Sequence, residues 1–421
     1  MLLMMVCVDL VNKMRKEGSE MEKIGIYIKR YVKGKTPKVL INEKTEGVLP
    51  YLSPDYLRGK CPPEQYAECA GNTVFVKDGE VIVLWDGSNA GEIFISRTGI
   101  LASTMTLLEI NEHELDKKYI GYTFQNLEYI LRAKTAGSGI PHADKGIIKS
   151  LEFYKPNKSE QISIANILSK VDETIASVQN SIASAERLKK SLMQNLLTGK
   201  MKPDGTFRTT EEFYLDEKFG KVPIGWEVKK LKDIASIQRG KFGHRPRNDE
   251  RFYNGDFPFV QTSDVVESVL YLKSASQSLN ELGASVSKRF PQNTIIMTIA
   301  ANIGYVALTR YEVYFPDSLI GINANENIVK PTYLLFQLMG FKNVLDALAT
   351  ESAQKNINYS NLRFLPILFP TNIEEQLQIA ERIIETFKEI EDKKSKIDIL
   401  ERLKKSLMQN LLTGKIKVIN N

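Results

Sequence analysis

ERLKKSLMQNLLTGK occupies residues 186–200, and the same fifteen letters return at 401–415. Identity over fifteen positions, 215 residues apart, marks an internal duplication, and sliding the chain on itself by that interval extends the match upstream. EQISIANILSKVDETIASVQNSIASA (160–185) then lies over EQLQIAERIIETFKEIEDKKSKIDIL (375–400) without a gap. Six of those 26 positions are identical: Glu160/Glu375, Gln161/Gln376, Ile164/Ile379, Ala165/Ala380, Ile175/Ile390 and Ile182/Ile397. What survives elsewhere is apolar spacing. Ile164, Leu168, Val171, Ile175, Val178 and Ile182 recur at intervals of four and three, and Leu188, Leu192 and Leu196 prolong the stripe after a small phase shift. Ile379, Ile383, Phe387, Ile390, Ile397, Leu400, Leu403, Leu407 and Leu411 repeat the pattern less regularly.

Each copy predicts a long amphipathic helix, closed by Leu-Leu-Thr-Gly at 196–199 and 411–414, where glycine supplies the positive φ of a C-cap. At about 1.5 Å per residue such a helix spans roughly 55–60 Å. Two helices with one apolar stripe each hide them most simply against each other, as an intramolecular antiparallel coiled coil. The segments before the helices have another texture. They hold most of the Tyr, Phe, Pro and Gly, with β-rich runs such as NTVFVKDGEVIVLW (72–85) and NTIIMTIA (293–300). PYLSPDYL (50–57) faintly resembles PFVQTSDVV (258–266), and LWDGSNAGEIFIS (84–96) resembles TIAANIGYVALT (298–309). The expected fold class is α+β: two α/β domains and two long helices, related by a pseudo-twofold. The expected segments are an N-terminal helix (1–20), a first domain (21–155), a first long helix (156–200), a linker (201–220), a second domain (221–370) and a second long helix (371–421).

A chain of 421 residues, 43% hydrophobic and 26% charged, has room for about two to four domains. MLLMMVCVDLV (1–11) lacks a basic leading region and a small-residue cleavage site and is too short to span a bilayer; it reads as a buried first helix or a misassigned start, with Met21 an alternative beginning. No window holds eighteen uninterrupted apolar residues, so no membrane partner is expected. Three cysteines and three histidines argue against a disulfide framework and a zinc module, and for a reducing, cytoplasmic setting. A formal charge of +6 and a pI near 8.8 make a polyanion partner admissible without requiring one.

The pattern resembles the specificity subunits of type I restriction-modification systems. KVPIGWEVKKLKDI (221–234), with Pro223, Gly225, Trp226 and Glu227, is similar to the start of that family's target-recognition domains, and the helix opening in Glu-Gln and ending in LLTGK, present twice, is its other hallmark. The first half departs from the pattern, having no proline-glycine-tryptophan start before residue 25. The resemblance implies a non-catalytic DNA-recognition subunit whose two recognition domains each read one part of a split double-stranded DNA target. It implies two methyltransferase subunits docked on the helical regions, and two motor-nuclease subunits in the restriction complex. The subunit itself would carry no cofactor; the partners would use S-adenosylmethionine, ATP and Mg.

On that basis the identical fifteen residues form two docking sites. Packing alone tolerates exchange among Leu, Ile and Met, but polar positions match as well: Glu186, Arg187, Lys189, Lys190, Gln194 and Asn195 against Glu401, Arg402, Lys404, Lys405, Gln409 and Asn410. Two copies of one partner would need the same surface twice; local copying of sequence is the alternative. DNA contacts are expected on basic loops. QRGKFGHRPRND (238–249) offers Arg239, Lys241, His244, Arg245 and Arg247, and KRYVKGKTPK (29–38) offers Lys33, Lys35 and Lys38. Arg58, Lys60, Lys288 and Arg289 are weaker phosphate candidates. Thr262, Ser263 and Asp264, with Ser53 and Asp55 at the aligned place, read as base-edge contacts or as polar turns. Lys355, Asn356, Ser138 and His142 read as backbone contacts or caps. Trp226 and Trp85 read as core anchors, and Asn89 and Asn302 as turn residues.

Enzyme chemistry finds little footing. The Pro-Pro at 61–64 has the wrong flanks for an amino-methyltransferase, no phosphate loop is present, and a nuclease-like PD (203–204) with DEK (216–218) falls in the expected linker. A coiled-coil interaction scaffold is the plainer alternative; it explains the helices but not two duplicated β-rich domains. The expected target is asymmetric and bipartite, its halves separated by roughly one helical turn or more.

Overall fold

The computed structural model describes residues 21–59, 61–134, 141–300, 302–349 and 362–418. The helix expected at 1–20, and Lys60, Ser138, Lys355 and Asn356, lie outside the described residues. The chain divides into two compact units: one holds the residues up to Asn180 together with those from Lys394 onward, the other Ser181–Lys393.

In the first unit, strand β1 (Met21–Lys23) is followed by β2 (Ile28–Lys33), β3 (Val48–Leu52), β4 (Tyr66–Glu68), β5 (Phe75–Val76), β6 (Val81–Leu84), β7 (Ile93–Ile95), β8 (Gly99–Leu101), β9 (Met105–Ile110) and β10 (Glu152–Tyr154). They form two four-stranded sheets, ordered β2-β9-β6-β7 and β4-β3-β8-β5, while β1 pairs with β10. The second unit opens with the hairpin of β11 (Phe213–Asp216) and β12 (Gly220–Pro223). Its body comprises β13 (Trp226–Lys230), β14 (Ala235–Arg239), β15 (Tyr253–Phe259), β16 (Gln277–Leu279), β17 (Arg289–Phe290), β18 (Ile295–Thr298), β19 (Val306–Leu308), β20 (Val313–Tyr314), β21 (Leu319–Ala324) and β22 (Pro366–Pro370). The orders β14-β21-β18-β19 and β16-β15-β20-β17, with β13 on β22, repeat the first unit strand for strand.

The equivalence follows from the sequence at its most apolar points. VIVL in β6 and IIMT in β18 are buried at all four positions, the signature of a strand covered on both faces. The Asn89 and Asn302 turns join β6 to β7 and β18 to β19, with Gly91 and Gly304 at positive φ. β1, with the short 3-10 helix Ile24–Tyr27, stands where β13 and the helix Leu231–Ile234 stand in the second unit, so the first domain has its opening strand without the Pro-Gly-Trp signature.

Both long helices form, as Lys158–Leu196 and Ile373–Leu411. Within each unit they run antiparallel. In the first, Lys404 pairs with Asp172 at 2.7 Å and the Val418 amide donates to Glu160 at 3.2 Å; in the second, the Lys189 ammonium sits 4.7 Å from the Phe387 ring centre. The first unit's core holds Leu411 and Leu412 beside Ile164 and Leu168, whereas the second unit's holds Leu196 and Leu197 beside Ile379, Ile383 and Phe387. Each helix thus ends in the core of the unit in which the other begins.

The C-caps coincide in detail. Met201 and Ile416 donate back to the Asn195 and Asn410 carbonyls at 3.1 and 3.2 Å, closing seven-residue loops around Gly199 (φ 66°) and Gly414 (φ 68°). A Cβ on Gly199 would fall 2.3 Å from Pro223 Cγ. Leu188, expected to face the core, is instead 50% exposed; the phase shift that prolongs the stripe turns it outward, while Leu192 packs at the core margin and Leu196 is buried.

Candidate nucleic-acid interface

The site is built on how each helix grips its domain. Gln161 is 1% exposed and Gln376 is fully buried. Gln161 Oε1 accepts from the Asp116 amide at 2.8 Å, and its Nε2 donates to the Glu114 and Pro156 carbonyls at 3.2 and 2.8 Å. Gln376 repeats each bond with Lys330, Ile328 and Pro370, at 2.8, 2.9 and 2.8 Å. The amide satisfies one donor and two acceptors that would otherwise be stranded in the core. The glutamate beside it receives the chain that leaves the other helix: Glu160 accepts from Val418, and Glu375 from Arg208 and from Trp226 Nε1 at 3.2 Å. Arg208, in the expected linker, is a buried cation 5.4 Å over the Trp226 ring, donating also to the Gly199 carbonyl at 2.8 Å. Trp226 is 2% exposed and packs edge-on against Tyr333. These roles account for the Glu-Gln identity of the two helix starts.

The basic loops leave β2 and β14 through Gly34 and Gly240. The amides of both bond back at 2.9 Å, to Met105 and Leu319, and a Cβ would approach the Ala102 and Pro316 carbonyl oxygens to 2.1 and 2.3 Å. Only glycine lets the loop start so close to the sheet.

Beyond these glycines the candidate residues meet different fates. In the first unit Lys35 and Lys38 are exposed and hold no ion pair with a described residue. Lys33 is engaged by Asp86 at 2.8 Å, which also bonds His142 Nδ1 at 2.6 Å. Partial burial works against the Asp86 carboxylate, but hydrogen bonds from Lys33 and His142 outweigh it and hold its pKa below the ordinary value. Arg58 makes a two-pronged pair with Glu92 and another with Asp55 at 2.8 Å, and packs on Phe94. The Glu92 hydrogen bond raises its pKa further, and its role is internal. Ser53 caps the short helix Pro54–Leu57, accepting from the Tyr56 amide at 3.3 Å.

In the second unit Lys241 is exposed. Arg245 and Arg247 converge on Asp317, and Arg239 donates to the same residue's carbonyl at 2.6 Å. His244 stacks on Phe252 with ring centres 4.1 Å apart and bonds Asp249 at 2.9 Å, which makes it part of the loop's frame. Hydrogen bonding by Arg251 is the main force holding Asp249 well below the usual carboxylate range. Asp264 accepts from the Gln261 amide and from the backbone and hydroxyl of Ser276, between 2.8 and 3.0 Å, leaving Thr262 and the exposed Ser263 at the start of the helix Thr262–Val266. Arg289 pairs with Glu312, and Lys288 lies 5.8 Å over Phe290.

Along the identical stretch, Arg187, Lys190 and Gln194 are exposed, and so are Arg402, Lys405 and Gln409. Glu186 pairs with Lys189, and Glu401 is exposed. Asn195 and Asn410 are half-buried and bond one turn back, to Ser191 and Ser406. Among the described residues there is no helix long and apolar enough to cross a membrane and no cluster of three or more His, Cys, Asp or Glu fit to hold a metal.

The structure has two matched α/β domains, each opening into a basic loop and clasped to a long helix, and comparison with known proteins gives this architecture a family. The family described as the type I restriction modification DNA specificity domain matches residues 25–187 and again 223–402. The MjaVIII type I restriction enzyme specificity subunit of Methanocaldococcus jannaschii is 32% identical over 418 residues, covering 96% of this chain and 94% of its own. The EcoBI specificity subunit of Escherichia coli is 21% identical, over 82% of this chain and 74% of its own. The crystal structure of the type I restriction-modification S subunit from M. genitalium has a similar fold, with a TM-score of 0.59 at 15% identity over 94% of this chain and 96% of that one. The chain belongs to the family of type I restriction-modification DNA specificity subunits.

Proposed function

We propose that this chain selects the DNA sites of a type I restriction-modification complex, each domain reading one half of an interrupted, asymmetric target while partner subunits supply the chemistry. The observation that carries this is the pairing of like with unlike. The sheets, clasps and caps repeat, while the loops that leave Gly34 and Gly240 carry different side chains. Phosphate contact falls to Lys35, Lys38 and Lys241, and to Lys33, Arg245 and Arg247 once their carboxylate partners yield to DNA. Two methyltransferase subunits dock on the exposed faces around Arg187, Lys190 and Gln194 and around Arg402, Lys405 and Gln409. S-adenosylmethionine, ATP and Mg belong to partners, not to this chain. The long helices set the spacer.

The test is co-purification with the methyltransferase subunit of the same system, followed by mapping of modified bases in cells with and without the gene. One interrupted sequence that loses modification with the gene, and a complex with two methyltransferase copies, are expected; no gene-dependent modification refutes the proposal. Lengthening both helices by the same four residues, roughly 6 Å of rise each, is expected to move modification to a target with a longer spacer. An unaltered spacer removes the helices from that role.

A further inference from the structure

Beside the basic loop of the second unit lies a recess of about 400 Å³, of whose lining the phosphate-binding assignment uses Arg247 alone. Phe242, Tyr253 and Phe259 line it, with ring centres 5.3–6.1 Å apart. Phe242 and Phe259 are buried, so this aromatic surface is fixed before any ligand arrives. Gln261, Gln277 and Arg247 also line the recess, and the Arg247 guanidinium is already committed to Asp317. Glu250 lines it too, which disfavours a phosphate. With the Arg247 charge taken up by Asp317 or, on binding, by a phosphate outside the recess, the remaining surface of aromatics and amides suits a neutral, planar, hydrogen-bonding ligand.

Gln261 Nε2 donates to Gln277 Oε1 at 2.8 Å. That bond uses one lone pair of the Gln277 carbonyl and leaves the second, beside an amide nitrogen with no acceptor among the described residues. A glutamine so oriented presents an acceptor and a donor side by side, the complement of the adenine N6 and N7 edge in the major groove. In the first unit the corresponding helix cap is Ser53, whose hydroxyl is engaged by the Tyr56 amide, so the two domains would not read alike.

We infer that this recess reads the edge of one adenine in the half-site of the second domain, with Gln277 as the reading side chain and Gln261 as the residue that positions it. The inference rests on the DNA-recognition role proposed above. Gln277 is exposed on β16, so its replacement leaves the core intact.

The experiment is base-resolution mapping of modification by the assembled complex carrying Gln277→Ala, with Gln277→Glu and Gln261→Ala as companions. With Gln277→Ala, discrimination at one adenine of one half-site is expected to fall by about 5- to 100-fold, the other half remaining unchanged. Gln277→Glu is expected to shift that position toward cytosine, whose N4 amine a carboxylate accepts, and Gln261→Ala to weaken the same position without changing its preferred base. An unchanged motif in both Gln277 variants, or a uniform loss of modification without relaxed sequence, overturns the inference. Absence of any gene-dependent motif with the wild-type chain refutes the underlying role instead.

Discussion

The two units share a skeleton and differ at their surface charges. The glutamine clasp that fastens each domain to its helix is duplicated bond for bond, in the three bonds of Gln161 and Gln376. The basic loops are not: the first unit holds Lys33 and His142 on Asp86, while the second holds Arg245 and Arg247 on Asp317. The aspartates come from different places, one after β6 and the other between β20 and β21. The duplicated parts have one geometric solution, whereas neutralising a basic loop has many. The basic loops, which would meet the two unlike halves of a target, therefore diverge in how their charge is held while the glutamine clasps do not.

The widest separation of the units should come from their shared caps. Leu196→Ala is expected to destabilise the second unit and Leu411→Ala the first, each by about 2–5 kcal/mol, because each leucine is buried in a single core. Hydrogen exchange resolved along the chain would show loss of protection in one unit at a time; equal loss in both from either variant would break the division. Gln161→Ala and Gln376→Ala come next. Each strands an amide and two carbonyls in the interior, for a cost of about 2–4 kcal/mol, reduced where water enters. Chemical denaturation should give similar losses for the two, and a twofold disparity would mean that the clasps are not equivalent.

The loops are separated by salt. Arg245→Ala with Arg247→Ala is expected to weaken DNA binding and flatten its dependence on salt by up to about two units in the logarithmic slope. Asp317→Asn, which frees the same arginines, should strengthen binding to unrelated DNA; titrations at several salt concentrations check both, and an unchanged slope takes the loop out of contact. The smallest effect is local. Asp86 is held below its ordinary pKa of 3.8, so its contribution to the first unit's stability is present above that value and is lost as pH falls through the depressed one. Lys33→Ala should move the Asp86 titration upward in an NMR experiment, and no movement would mean that His142 alone sets it.

Much of this was legible in the chain. Apolar spacing and a shared Leu-Leu-Thr-Gly stop located both helices, and Trp226, standing at the domain entrance, read as the core anchor that its burial makes it. The matched Glu160/Glu375 and Gln161/Gln376 were visible as identities, but their work was not, since each glutamine bonds one carbonyl nearby, Pro156 or Pro370, and two backbone groups 45 or more residues away, such as those of Asp116 and Lys330. The same blindness affects charge. Arg58 looks free in YLRGK, yet its partner Glu92 is 34 residues on, and Arg247 finds Asp317 at a distance of 70. Sequence counts cations; folding decides which are already neutralised. Leu188 faces outward because three- and four-residue steps do not keep a stripe in phase with 3.6 residues per turn indefinitely.

The crossed ownership of the helix ends also gives the chain an order of assembly. Ser181–Lys393 is one uninterrupted stretch that contains every residue of its own principal core. The other core lacks Leu407, Met408, Leu411, Leu412, Ile416 and Val418 until residues 407–418 have been made. On a ribosome, the half translated first is thus the half that can close last. Until then it must wait with an open apolar seam, while the later-made half can already be folding.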